Sequence, residues 1–275
     1  MLTYPRIDPV ALHLGPLQIH WYGVTYVIAF AVAWWLARRY AARPGSTWKR
    51  EDVDDFVFWA MVGVILGGRI GYVLLYVLPF QRELLSEDWL YPLKIWQGGM
   101  SFHGGLAGVA VALVWFAHRQ RRRVMDVLDF AAPLPGIGIC AVRIANFINN
   151  ELWGAPTQAK FGFLVPDGVT GELVGRHASQ LYEAALEGLA VFLLLWWFTR
   201  RPRPAGAPTG LFLLWYGLVR FLIEFVRIPD AQVGYLAGDW VTMGQLLSMP
   251  MILIGAWLLL IARTNPRPSG NYAPA

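Results

Sequence analysis

Seven stretches of the chain are apolar and nearly free of charge, at about 16–37, 55–78, 101–117, 125–148, 180–198, 210–227 and 242–262, each near the roughly 20 residues an α-helix needs to cross a bilayer's hydrocarbon. The third and sixth are short for a span. The runs are continuous rather than alternating in polarity, which argues against a strand barrel. The pattern predicts an all-α polytopic membrane protein of about seven transmembrane helices. The longest polar segment, about 149–178, is rich in glycine and precedes a helix that opens at Ser179 or Gln180. It predicts a small outward-facing head on a chain that otherwise forms a single membrane domain over residues 1–275.

Composition supports this class. Of 275 residues, 56% are hydrophobic and only 15% charged, against about a quarter charged in an average globular domain; the mean hydropathy is +0.44. The basic residues fix an orientation. Arg38, Arg39, Arg43, Lys49 and Arg50 follow the first run, Arg119 and Arg121 to Arg123 the third, Arg200, Arg201 and Arg203 the fifth, and Arg263 and Arg267 the seventh. The opposite side carries Arg6, Arg82, Lys94, Lys160, Arg176 and Arg227. Positive charge collects on the cytoplasmic side, so the N-terminus is expected outside and the C-terminus inside. The net charge of +5 calls for no nucleic-acid partner, since the excess faces anionic lipid. The first residues lack a basic leader, and a full-length run ending in basic residues follows, so the first run reads as a retained span rather than a cleaved signal. The single cysteine, Cys140, excludes an internal disulfide and reads as a packed thiol.

Polar residues inside the apolar runs carry the chemistry. Arg220 stands in the middle of the sixth run and Arg143 in the fourth, where a guanidinium costs about 2.5–3.5 kcal/mol on insertion scales. Tyr216, Arg220, Glu224 and Arg227 follow one another at helical spacing and share a face. Arg143, Asn146 and Asn150 form a second polar face, with Glu151 beside them. Two readings stand at this point. The arginines pair with carboxylates and glue helices together, or they converge on one anion, whose phosphate oxygens match the planar guanidinium fork. The second is favoured because Glu151 and Glu224 are the only obvious carboxylates nearby.

The segment Gln97-Gly-Gly-Met-Ser-Phe-His103-Gly-Gly-Leu-Ala-Gly108 is too rich in glycine to begin as helix and is expected to start as irregular backbone beside protein or a cavity. His103 there is either a base near that cavity or a structural ring bonded to a carbonyl. Gly63, Gly67 and Gly71 read as close helix packing, and Arg69 is left unassigned. His13, His20, His103, His118 and His177 show no metal-ligand spacing, and neither a phosphate-binding glycine loop with its lysine nor a serine-nucleophile motif is present. No metal and no cofactor are expected.

The stretch Val142-Arg143-Ile-Ala-Asn146-Phe-Ile-Asn149-Asn150-Glu151-Leu-Trp-Gly154 resembles the signature of the bacterial prolipoprotein diacylglyceryl transferases. So do His20-Trp-Tyr22-Gly, Gly67-Gly-Arg-Ile-Gly-Tyr72, Gly98-Gly-Met-Ser-Phe-His103-Gly-Gly, His177-Ala-Ser-Gln-Leu-Tyr-Glu183, Arg220-Phe-Leu-Ile-Glu224-Phe-Val-Arg227 and Met243-Gly-Gln-Leu-Leu-Ser248, in order from the first run to the seventh. The family usually has glycine where Val142 and Ala145 stand, often where Asn150 stands, and proline at Ala178. The resemblance implies an enzyme of the bacterial inner membrane that moves the diacylglyceryl group of phosphatidylglycerol to the lipobox cysteine thiol of a lipoprotein precursor, releasing glycerol phosphate. It implies that Arg143 and Arg220 clamp the phosphate and that His103 takes the thiol proton. Asn146 and Tyr22 would orient the headgroup, Gly154 would admit close backbone, Glu224 would hold Arg220, and Tyr216 would add a hydrogen bond. Two rivals are a lipid or anion transporter with an intramembrane arginine site and a non-catalytic membrane scaffold.

Overall fold

The computed structural model describes every residue except Arg6, Pro16, 168–170, 230–233, 239 and 274–275. Arg6, counted above among the outer basic residues, and three residues of the expected head thus lie outside the described residues. Among the described residues there are five short strands: β1 (Leu2–Thr3), β2 (Val10–Leu14), β3 (Leu17–His20), β4 (Phe163–Pro166) and β5 (Leu173–Arg176). The main helices are α1 (Trp21–Ala41), α2 (Arg50–Tyr72), α3 (Phe102–Arg119), α4 (Val124–Ala131), α5 (Pro135–Ile148), α6 (Ser179–Glu183), α7 (Ala207–Ile223) and α8 (Met243–Thr264). Helix α2 runs on through the π-helical turn Val73–Val77 to Phe80, and α6 continues through the π-helical stretch Ala184–Ala190 and the segment Val191–Phe198. The chain is therefore mostly helical rather than all-α. The strands occur at the N-terminus and within the polar segment 149–178, where backbone groups find partners in β1–β4–β5 and the hairpin β2–β3 instead of in a helix.

Among the described residues, four helices are long and apolar enough to cross a membrane: Arg50–Phe80, Ser179–Phe198, Ala207–Val226 and Met243–Thr264. The pair α4 and α5 makes a fifth if counted together, although it bends by 47° between them. The expected count of seven is not reached by this measure, and the unbroken span expected over about 125–148 is corrected to two helices. Pro133 and Pro135 explain the break, since neither has an N–H to donate and each ring disfavours helix in the residue before it.

The chain divides into two compact units, Met1–Leu36 with Asp129–Ser269, and Ala37–Leu128 with Gly270–Ala275. In the second unit, α2 and α3 meet through glycines: a Cβ on Gly71 would stand 2.6 Å from the Gly104 Cα, and one on Gly63 2.7 Å from the Gly108 carbonyl. This close packing agrees with the sequence reading of Gly63 and Gly71. Gly98 and Gly99 both have positive φ, 81° and 78°, so the chain enters α3 through irregular backbone as expected. Ser101 caps the helix by accepting from the Gly104 N–H at 3.2 Å.

In the first unit, Asp129 caps α7: its carboxylate accepts from the Gly206 N–H (2.7 Å), the Thr209 N–H (3.0 Å) and the Thr209 hydroxyl (2.6 Å). Glycines again set the helix spacing. A Cβ on Gly188 would lie 2.6 Å from the Cys140 Cβ, bringing α5 against the π-helical stretch, and one on Gly210 would lie 2.9 Å from the Leu258 Cβ, bringing α7 against α8.

Candidate active site

Every candidate residue except His103 belongs to the first unit. Arg143 on α5 and Arg220 on α7 reach the same two carboxylates. Arg143 Nε lies 2.6 Å from Glu183 Oε2, and its Nη2 lies 4.0 Å from Glu187 Oε2. Arg220 Nη1 lies 3.6 Å from both Glu183 Oε1 and Glu187 Oε1. Arg220 Nη2 pairs with Glu224 Oε1 at 2.5 Å, one turn along α7. Arg227 closes the set, at 3.0 Å from Glu183 Oε1 and 3.1 Å from Glu224 Oε1. Three guanidiniums thus share three carboxylates.

Glu183 and Glu187 were missed. The carboxylate supply inferred from the sequence, Glu151 and Glu224 alone, is corrected: the two glutamates stand four residues apart in an otherwise apolar span and so share one face. Their side chains are 1% and 0% exposed. A pair of carboxylates with that spacing inside a hydrophobic run was the signal available, and Glu183 closes one of the motifs quoted above. Among the described residues no ion pair joins Glu151 to an arginine. It accepts from the Tyr22 hydroxyl and, at 2.9 Å, from Asn146 Nδ2, which also donates to the Tyr22 oxygen. Tyr22, Asn146 and Glu151 therefore form a second polar cluster, with Asn146 buried.

Local backbone explains how these residues are presented. After α5 the chain turns through Asn150 and Leu152, both with positive φ (57° and 58°), and Asn is among the side chains that tolerate this conformation best. That conformation accounts physically for asparagine where glycine also serves. Tyr4 reaches the last carbonyls of α5, at 2.9 Å from Phe147 O and 2.7 Å from Ile148 O, and its ring packs edge-on against Trp153. Gln180 Nε2 donates to the Glu151 carbonyl at 2.6 Å, which ties this turn to the start of α6. The backbone that Gly154 admits is the protein's own: its N–H donates to His177 O at 2.8 Å, and a side chain there would run into Val226 O and the His177 Cβ.

Glu224 is fixed from a further direction. The Thr242 hydroxyl donates to Glu224 Oε2 at 2.6 Å while accepting from the Gln245 N–H at 3.2 Å, so the residue capping α8 also anchors the ion network. Tyr216 lies one turn before Arg220 and stacks on Phe212.

In the second unit, His103 is the second residue of α3. Its imidazole is exposed and edge-on to Phe102, and among the described residues no hydrogen bond ties it to a neighbouring carbonyl. Arg69, unassigned from the sequence, is only 3% exposed. It donates to the carbonyls of Tyr91, Pro92 (3.0 Å), Gly98 (2.6 Å) and Gly99 (3.1 Å). A buried guanidinium satisfied by carbonyls holds the glycine segment that leads into α3. Among the described residues no group of three or more His, Cys, Asp or Glu is placed to hold a metal ion.

Comparison with known proteins gives this arrangement a context. A family model described as prolipoprotein diacylglyceryl transferase matches residues 9–261. Proteins named phosphatidylglycerol--prolipoprotein diacylglyceryl transferase are similar over almost the full length. One from Pseudomonas fluorescens (strain SBW25) is 51% identical over 273 residues, covering 99% of this chain and 100% of that protein. One from Nitratidesulfovibrio vulgaris (strain DSM 19637 / Miyazaki F) is 52% identical, covering 94% and 96%, and one from Pseudomonas aeruginosa (strain LESB58) is 53% identical, covering 95% and 96%. These names offer the transporter reading no support. With its motifs in order and its match running through every main helix from α1 into α8, the chain belongs to the prolipoprotein diacylglyceryl transferase family.

Proposed function

We propose that this protein transfers the diacylglyceryl group of phosphatidylglycerol to the cysteine thiol of a lipoprotein precursor, releasing glycerol phosphate. The observation that carries this reading is the convergence of Arg143 and Arg220, from two different helices, on the same pair of buried carboxylates. Arg220 is not exhausted there. Arg220 Nη1 makes no hydrogen bond among the described residues, although it is buried, and a buried N–H without an acceptor is costly unless a ligand supplies one. A phosphodiester between the two arginines provides acceptor oxygens at the point where negative charge grows as the C–O bond of the lipid breaks.

The reaction also needs a thiolate, because the neutral thiol is a poor nucleophile. His103 takes that proton. Its exposed ring, free of a structural hydrogen bond among the described residues, suits a base that must meet an incoming peptide. Tyr22 and Asn146 orient the headgroup with Glu151, Glu224 holds Arg220, Tyr216 contributes a hydroxyl, and Gly154 keeps the turn before α6 closed. Both partners are thus lipidic or lipid-borne: phosphatidylglycerol from the bilayer and a precursor carrying a lipobox.

α1 and α3 complete a set of seven spans, the segment 149–178 is an outward-facing head, and both units sit in a bacterial inner membrane with the N-terminus outside and the C-terminus in the cytoplasm. The distribution of basic residues supports that orientation. The purified protein, given phosphatidylglycerol and a lipobox peptide, is expected to yield a thioether-linked diacylglyceryl peptide and free glycerol phosphate. Binding of lipid without a thioether product would overturn the reading.

A further inference from the structure

Resting on the phosphate clamp proposed above, we propose that Glu187 takes up a proton when a phosphate settles between Arg143 and Arg220, so that the site accepts an anion without changing its net charge. Among the described residues Arg143, Arg220 and Arg227 face Glu183, Glu187 and Glu224, three guanidiniums against three carboxyl groups. A phosphodiester adds one negative charge. In a buried site an uncompensated charge is strongly unfavourable, so one carboxylate is expected to become neutral.

The surroundings of the three glutamates single out which one. Glu183 lies 2.6 Å from Arg143 Nε and accepts from Arg227 Nη1 at 3.0 Å. Glu224 is 2.5 Å from Arg220 Nη2 and accepts from the Thr242 hydroxyl at 2.6 Å. Glu187 is 0% exposed, and neither of its oxygens accepts a hydrogen bond among the described residues. Among the described residues, with Arg227 acting from further off, its ion-pair contacts are Arg220 Nη1 at 3.6 Å and Arg143 Nη2 at 4.0 Å. Those are the N–H groups a bound phosphate engages. Glu187 then faces an anion where it had faced two cations, and hydrogen bonds that would favour its ionised form are missing, so both effects favour the acid.

Among the described residues the charged and titratable groups around it are Glu183 on its own helix, Arg143 on α5, Tyr216 and Arg220 on α7, and Arg227 beyond α7; Cys140 packs at the adjoining Gly188. The proton comes from bulk water or buffer acid, which gives one H⁺ to the carboxylate and leaves as its conjugate base. Arg143 and Arg220 are 20% and 17% exposed, so the site's edge is open to exchange. The sign follows from linkage: a ligand whose binding takes up a proton binds more tightly as pH falls, by up to about tenfold per pH unit where one full proton is absorbed.

The test uses the full-length protein in detergent with short-chain phosphatidylglycerol as the probe. Calorimetry in two buffers of different ionisation enthalpy counts protons. The wild type is expected to take up protons on binding lipid, at most about one per lipid, and Glu187→Gln to take up none and to bind with an affinity that no longer varies with pH. Equal proton uptake in the variant and the wild type overturns the assignment. An infrared difference spectrum of the wild type on adding lipid needs no variant: a new protonated-carboxyl band supports the proposal, and its absence refutes it. Lipid binding indifferent to Arg143→Lys and Arg220→Lys would instead refute the clamp, whereas binding that depends on both arginines without proton uptake removes only the role of Glu187.

Discussion

Replacing Arg220 by lysine keeps the charge and removes the planar fork. In the wild type this guanidinium addresses three carboxylates at once, Glu224 at 2.5 Å and Glu183 and Glu187 at 3.6 Å. It does so with two nitrogens pointing in different directions. One ammonium centre cannot pair with Glu224 and also present a donor to a phosphate between the arginines. At least one charge-assisted hydrogen bond to the departing phosphate is lost, at about 1.5–3 kcal/mol, which corresponds to about 10- to 150-fold in kcat/KM. The assay is the rate of thioether formation with phosphatidylglycerol and a lipobox peptide. Helical circular dichroism and thermal unfolding in the same detergent separate chemistry from folding. A folded Arg220→Lys enzyme working within a factor of about two of the wild type, a difference well under 1 kcal/mol, would refute the idea that geometry rather than charge makes this arginine necessary.

Three further outcomes are expected. His103→Asn loses most of its kcat; a retained rate would mean that another group is the base. Gly188→Ala inserts a Cβ 2.6 Å from the Cys140 Cβ and from its backbone nitrogen, so α5 and the π-helical stretch Ala184–Ala190 separate, at a cost of about 1–3 kcal/mol in thermal or denaturant unfolding; unchanged stability would show that the helices are not locked there. Thr242→Val removes both the cap of α8 and the hydroxyl that donates to Glu224, lowering stability by about 1–3 kcal/mol and kcat/KM along with it; a stability loss at full kcat/KM would mean that Glu224 needs no anchor to hold Arg220.

The arginine stripes were legible because helical spacing is geometric: Arg143 and Asn146 on α5, like Tyr216 and Arg220 on α7, are read from position alone once the runs are taken as helices, whereas Asn150, expected on the same face, lies beyond α5 in a turn with positive φ. The carboxylate partners were harder. Glu183 and Glu187 obey the same spacing, but attention to charge near the arginines in sequence overlooked a third helix that tertiary packing brings alongside, through Gly188 against Cys140. The π-helical stretch Ala184–Ala190 that carries Glu187 has no simple sequence signature. Arg69 was opaque for a similar reason, since its partners are backbone carbonyls at Tyr91, Pro92, Gly98 and Gly99, and carbonyls leave no mark in composition. The bend between α4 and α5 was legible in Pro133 and Pro135, yet the apolar run around them masked it. The strands β4 and β5 are only four residues each, too short for alternation to stand out from a glycine-rich loop.

If Arg143 and Arg220 bind one and the same phosphate, their contributions to lipid affinity are coupled. A double-mutant cycle on the affinity for short-chain phosphatidylglycerol measures this directly, comparing wild type, Arg143→Lys, Arg220→Lys and the double variant. Two arginines sharing one phosphate predict a coupling energy of about 1 kcal/mol or more, within the range seen for residues that share a partner. Losses that add to within about 0.5 kcal/mol, as for independent sites, would contradict the account.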